Sequence, residues 1–518
     1  MFPAQTSFIP ITVALVKFVV EGGNVWGNYP YWYLGEVSFR YLTGPVVPTV
    51  MLSLQALFGG FSLFEWSLIL IMVAWVVATF GWGMLVWQLS GSKKVGILVG
   101  ILYLVLPWHI VSSLALSEVS VVVASGFGPW ALLAFAKLQT PNSKLQILIP
   151  TAAFAILLLT NTVASIPTIL GLGILSVVLY KHPMDGLKRA GLVVFLGGLL
   201  TLWWYDPGYW LKMLFAPSFG GRSVIGAFLH VVDLARTLLP VVLAFIVVVW
   251  KVKPKNNFEK FAYLWLGSFV GLTLVRFVSN IHFWLDWTSW FGEIEVGLAL
   301  LFAGFLNKNH IGGNALALGN SFDHDQRSIG SLHETQASQN SEIVSSRASS
   351  PRINQGSALA TPRGALLLIL LLLITGWGLA FANKSFWLPR RNIENSVEWQ
   401  VADKLIKIVK PNETVFLSGT SAFWLNAFAD VRQVRGGADQ VGLRPDLAKV
   451  VWEVRMGSSG QKSVDELRKL RVNYLVVHSN YSKEFYHDFE NPGKFEGVDS
   501  LIKVYDENGD IIYRVNEW

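Results

Sequence analysis

The chain has 518 residues, 53% of them hydrophobic and only 14% charged. Soluble proteins carry about 25% charged residues, so a wholly soluble enzyme is excluded. The net charge of +7 lies in short basic clusters between apolar runs, which fits loops on a membrane protein and excludes a nucleic-acid-binding face. Cysteine is absent, which excludes disulfide scaffolds, cysteine nucleophiles and cysteine-ligated zinc.

Residues 1–66 hold no run long enough to span a bilayer, which takes about 20 apolar residues. The stretches 8–20 and 46–58 are apolar but short and read as interfacial helices in an extracytoplasmic loop. No basic region precedes them, so they are not a secretory signal. A long outside loop followed directly by a helix leads us to expect an upstream span before Met1.

Ten runs then read as transmembrane helices: 67–89, 95–115, 119–136, 145–161, 163–180, 190–206, 227–250, 261–279, 288–306 and 364–382. The split at Asn161-Thr162 is required by the positive-inside rule. With it, Lys93 and Lys94, Lys137 and Lys144, Lys181, Lys188 and Arg189, and Lys251 to Lys260 all fall on one face. Both termini are then extracytoplasmic. The expected order is a membrane domain at 67–306, a polar disordered cytoplasmic linker at 307–363, a last span at 364–383 and a folded domain at 384–518.

That last domain alternates strands with helices. Asn395-Ser-Val-Glu398 reads as a capping box opening a helix to about Val409. Residues 414–418 and 473–478 read as buried strands, and 445–456 as a helix. Ser463-Val-Asp-Glu466 reads as a further helix cap, and 501–505 with 511–515 as a hairpin through Asn508-Gly509. The fold class is thus an α-helical polytopic membrane protein with a C-terminal soluble α/β domain.

Several motifs carry a family likeness. Trp26-Gly-Asn-Tyr-Pro-Tyr-Trp-Tyr-Leu-Gly35, with Arg40-Tyr-Leu-Thr-Gly-Pro45, resembles the first extracytoplasmic loop of GT-C-type membrane glycosyltransferases. Leu106-Pro-Trp-His109, Ala115-Leu-Ser-Glu118 and Gly128-Pro-Trp130 resemble the helix-loop-helix that follows. Phe423-Trp-Leu-Asn-Ala-Phe428, Gln433-Val-Arg-Gly-Gly-Ala-Asp-Gln440 and Glu484-Phe-Tyr-His-Asp-Phe-Glu-Asn-Pro492 are similar to the soluble domain of prokaryotic "6-pyruvoyl-tetrahydropterin synthase-related" membrane proteins. The pterin label finds no support in the nine histidines, which show no zinc-ligand triad.

The resemblance implies transfer of a sugar from a polyprenyl-phosphate donor to a glycan acceptor at the cell surface. It also implies a catalytic carboxylate in the first loop, and a divalent metal is carried as a candidate cofactor. The matching stretch here, Phe2-Pro-Ala-Gln-Thr-Ser-Phe8, has neither an acid nor a histidine. The catalytic candidates are therefore Glu36 in the aromatic loop and Glu118 between the second and third spans, where a helix-dipole role is the alternative. Arg40, Arg222, Arg236 and Arg276 are the candidates for holding lipid phosphate, because arginine binds phosphate in a bidentate manner. For Arg236 a pair with Asp233 is the alternative, and for Arg276 snorkelling to a lipid headgroup. Trp203-Trp-Tyr-Asp206 and Trp284-Leu-Asp-Trp287 read as interfacial aromatics. The second function class is a non-catalytic scaffold or glycan-binding protein of the same fold.

Overall fold

The computed structural model describes residues 1–116, 118–139, 144–215, 254–279, 289–318, 390–437 and 444–516. The first loop forms α1 (Ile9–Val20) and α2 (Val46–Phe58). Apolar residues surround α1 on nearly every side, and such a helix needs protein all round it. Residues 9–16 are indeed buried, against the membrane helices and the C-terminal domain alike.

Among the described residues, α3 (Leu63–Ser90) and α5 (Val119–Ala136) are long and apolar enough to cross a membrane. A third span exists if α4 (Lys93–Leu104) and its continuation Pro107–Leu116, bent by 46°, cross together. The expectation of ten such helices is therefore corrected, and the reasons are local. Pro107 starts a new helix and breaks the run at 95–115. Asn161 ends α6 (Leu148–Thr160), and Pro167 sits at the start of α7 (Ile166–Leu179), so each piece is shorter than a bilayer requires. The next helix, α8 (Pro183–Leu200), begins early enough to take in Asp185, Lys188 and Arg189. It is followed by α9 (Pro207–Phe215), α10 (Asn257–Ser279) and α11 (Ser289–Leu318). The expected spans 227–250 and 364–382 lie outside the described residues, as does most of the linker.

The bundle packs around α3. Gly126 of α5 lets the two backbones meet, since a Cβ there would lie 2.9 Å from the Ala74 carbonyl. Trp130 anchors the same crossing by donating its indole N–H to the Val77 carbonyl at 2.9 Å. Trp82, Phe135, Phe154, Leu175, Phe261 and Trp265 fill the core between the helices.

The C-terminal domain is a three-layer sandwich. Its strands β1 (Thr414–Phe416), β2 (Arg432–Gln433), β3 (Tyr474–His478), β4 (Leu501–Glu507) and β5 (Asp510–Val515) form one sheet in the order β2-β1-β3-β5-β4. β1 pairs in parallel with β2 and β3, while β5 runs antiparallel to β3 and β4. Strand alternation sorts the side chains between two cores. Val415, Val476 and Ile512 meet α12 (Val397–Ile408) and α13 (Ser421–Phe428) on one face. Phe416, Leu475, Val477 and Ile511 meet α14 (Pro445–Met456) and α15 (Gly460–Lys469) on the other. α12 is capped by Ser396, one residue after the expected Asn395, and α15 by Ser459 and not by Ser463, which is buried inside it. The hairpin turns through Asn508 and Gly509, both at positive φ.

The first loop completes this domain. Gln433 donates its backbone N–H to the Tyr31 carbonyl at 2.8 Å, and Tyr33 donates to the Arg435 carbonyl at 3.2 Å, so the loop extends the sheet beyond its β2 edge. Trp32 is wholly buried and donates Nε1–H to Asn426 Oδ1 at 2.9 Å. Its ring lies on Gly436, where a Cβ would be 2.4 Å from Trp32 Cγ. Tyr33, Leu34 and Gly35 all adopt left-handed backbone, with φ of 52°, 59° and 76°. Two non-glycine residues in that region are strained, and they persist only where docking over-determines them.

Candidate functional site

A ring of polar groups reaches an apolar groove of the helix bundle at Thr162. Asp206 starts it. As the residue before Pro207, it caps α9 by accepting the Tyr209 backbone N–H at 2.9 Å. The same carboxylate accepts the Tyr41 hydroxyl at 2.7 Å and lies 3.3 Å from Arg40 Nη2. Burial works to raise the Asp206 carboxyl, but the Tyr41 and backbone hydrogen bonds and the Arg40 charge hold it below its usual range. Burial and this carboxylate push the Tyr41 phenol up to about 12. Arg40 also donates to the Trp204 carbonyl at 3.3 Å and lies over the Trp26 ring at 5.1 Å. Lys212 sits over Tyr41 at 5.0 Å.

From Asp206 the ring passes inward. Tyr209 stacks on Tyr205 with centroids 4.3 Å apart, and its hydroxyl bonds Thr162 Oγ1 at 2.6 Å. Asn161 donates to Ser120 Oγ at 3.0 Å. Glu118, the residue before α5, is buried beside Ser120 and within electrostatic reach of Tyr205. Burial pushes its carboxyl up to about 7, against a smaller downward pull from the Ser120 hydroxyl. A carboxyl there holds or releases a proton near neutral pH, as a general acid or base must. Thr162 also lines the groove, which has a volume of about 390 Å³ and walls that include Phe154, Leu158, Ile169, Phe195 and Trp210.

Of the residues singled out in the sequence, the structure brings Arg40 and Glu118 to this ring. Glu36 instead lies on the seam with the soluble domain, 2.7 Å from Arg444, and both side chains are exposed. Arg222 and Arg236 lie outside the described residues. Arg276 falls in α10, and its side chain lies outside them too. Asp206 and Tyr205 had been read as interfacial residues, and Thr162 and Tyr209 had not been singled out. The Asp206-Pro207 pair was the available signal, because Asp before Pro marks a helix start and aims its carboxylate at the first turn. Among the described residues no three His, Asp or Glu side chains converge as a metal would require, so no step is derived through a divalent ion.

The soluble domain offers the alternative anion site that α/β sheets place after a strand, but its own acids fill it. After β1, Glu484 accepts the backbone N–H groups of Thr420 and Ser421 at 2.7 and 3.2 Å, and Asp488 accepts that of Gly419 at 3.1 Å. Arg455 and Arg435 pair with Asp488 at 3.1 and 3.6 Å.

No protein-family model matches the chain, and no curated protein matches it. Solved structures do. The Archaeoglobus fulgidus oligosaccharyltransferase aligns over 99% of this chain and 71% of its own, with TM-score 0.50 and 12% identity. The arabinofuranosyltransferase AftD from Mycobacteria aligns over the whole chain with TM-score 0.50 and 16% identity, and this chain spans 38% of its length. ArnT from Cupriavidus metallidurans aligns over 99% of this chain and 93% of its own, with TM-score 0.46 and 13% identity. The chain thus shares its fold, apolar helices with a small mixed sheet, with the Archaeoglobus fulgidus oligosaccharyltransferase and with AftD.

Proposed function

We propose that the protein engages a polyprenyl-phosphate-linked sugar during assembly of surface glycan, at the outer face of a prokaryotic plasma membrane. Its nearer kinship to the 6-pyruvoyl-tetrahydropterin synthase-related membrane proteins rests on the loop and domain motifs. The observation that carries the proposal is the run of the apolar groove into the polar ring through Thr162, Tyr209 and Tyr205. An isoprenoid tail suits the groove, and the phosphate belongs with Arg40 and Lys212, where a leaving group gains negative charge as its bond breaks. Glu118 is then the proton-transfer group. Arg222, Arg236 and Arg276 remain further phosphate candidates.

Purified protein in lipid nanodiscs, given a synthetic polyprenyl-phosphate sugar and glycan acceptor, tests this reading. Transfer should occur and should drop about 100-fold in Glu118→Gln, with donor binding held within about twofold. Full activity of that variant would remove Glu118 from the chemistry. A second reading, a non-catalytic glycan-binding scaffold, is favoured by one observation. The stretch 2–8 carries no carboxylate, and it is tied into the domain by the Arg390–Gln5 bond at 2.9 Å and the Trp424–Gln5 bond at 3.0 Å. Donor binding without transfer would decide for it.

A further inference from the structure

The helix bundle holds a second polar chamber, which the site above does not use. Tyr103, His109, Ser125, Thr168, Trp265 and Glu293 are on its walls, and it has room for about 20 Å³ of solvent. That is enough for one water-sized occupant. Among the described residues the Glu293 carboxylate and the Thr168 hydroxyl make no hydrogen bond. Ser125 Oγ donates to the Val122 carbonyl at 2.8 Å. Pro129 lies inside α5 and has no N–H, so the Ser125 carbonyl loses its partner one turn on. Residues that carry a carboxylate, a hydroxyl and a freed carbonyl therefore line one small cavity.

The charge count is unbalanced. Glu295, almost fully buried, accepts the backbone N–H groups of Trp108 and His109 at 3.0 and 3.3 Å and so caps the helix that begins at Pro107. His109 Nδ1 lies 3.8 Å from Glu295 Oε2, too far for a hydrogen bond, and has no other partner. His109 is also the charged neighbour that acts on Glu293. Among the described residues Glu293 on the chamber wall and Glu295 behind His109 set two carboxylates against one imidazole, with no Lys or Arg on the walls. Even a protonated His109 leaves one negative charge inside a bundle surrounded by lipid, where an unpaired charge is costly.

We propose that the chamber binds one small monovalent cation, held by the Glu293 carboxylate with the Thr168 hydroxyl and the Ser125 carbonyl. Na⁺ fits this site, and a proton taken up by the Glu293 carboxylate itself would cancel the same charge. The bound cation cancels the surplus charge beside the 46° break after α4. It thereby steadies the segment that runs on through the π-helical turn Ser112–Leu116 towards Glu118.

Thermal unfolding of the full chain in nanodiscs tests this, in NaCl against choline chloride of equal ionic strength, at pH 6 and pH 8. Choline is too large for the cavity. If the cation is Na⁺, wild-type Tm rises by about 2 °C or more in NaCl over choline. If it is the proton, Na⁺ has no effect and the rise comes on going from pH 8 to pH 6. In either case Glu293→Gln loses that response and melts at least as high as cation-free wild type, because the charge to be cancelled is gone. The difference between the two proteins separates the chamber from any other pH-sensitive group. Thr168→Val keeps the carboxylate, should show a weakened response, and serves alone if Glu293→Gln does not fold. Equal responses to Na⁺ and to pH in wild type and the folded variants overturn the proposal.

Discussion

Trp32 shows why a residue can be conspicuous in a sequence and still have a hidden role. The aromatic run around it was legible as a loop motif. Its partner Asn426 lies 394 positions away, and no local pattern links them. The structure makes Trp32 the pin between loop and domain, buried on Gly436 and bonded through its indole N–H. Trp32→Ala should cost about 3–5 kcal/mol, seen as a lowered Tm and as faster proteolysis of the first loop. Gly436→Val should free the loop similarly by placing a side chain where the indole sits. At the candidate site, Arg40 was legible as an outward cation, but its commitment to Asp206 and Trp26 was not. Arg40→Lys keeps the charge but loses the planar fork, so donor affinity measured by titration should fall even though net charge does not change.

Among elements, the hydrophobic period located most of the helices and strands, and errors fell where punctuation mattered more than hydropathy. The run 95–115 was broken by Pro107, whereas the break at Asn161 was legible and only the later helix start beside Pro167 was not. The domain strands were found because both faces of the sheet are covered, which makes short continuous apolar runs. What no pattern announced is the charged cluster buried between α12, α13 and β3. Burial, then the neighbouring Glu484, push the Glu398 carboxyl up to about 7 from 4.5. Burial alone would lower His478, but the 2.8 Å bond to Asp510 and the charge of Glu484 raise it above 6.5. Both groups hold more protons folded than unfolded, so stability falls as pH rises. The Glu398 contribution is complete below about pH 4.5 and is lost towards pH 7, and that of His478 is lost above pH 6.5. Melts of the full chain should therefore show Tm falling from pH 5 to pH 8, and Glu398→Gln should flatten the first part of that fall. A Tm that climbs over the same range would contradict this reading of the cluster.

For the molecule as a whole, composition and basic clusters read as those of a membrane protein, and the loop and domain motifs pointed towards the fold that two solved structures share with this chain. The motifs proved to be mostly surfaces where loop and domain meet, which is why they identified an architecture more readily than a reaction. The proposed orientation, with the domain outside and the linker inside, predicts that protease added to sealed cells cuts the former and spares the latter. The central claim, that the groove and its polar ring receive a lipid-phosphate-linked sugar, is tested most directly by donor binding to the purified chain in nanodiscs. Wild type should bind a polyprenyl-phosphate sugar saturably. Arg40→Ala should weaken that binding about 10- to 150-fold, as expected if one charged hydrogen bond worth about 1.5–3 kcal/mol is lost. Binding that is absent in wild type, or equally tight in Arg40→Ala, would contradict the account.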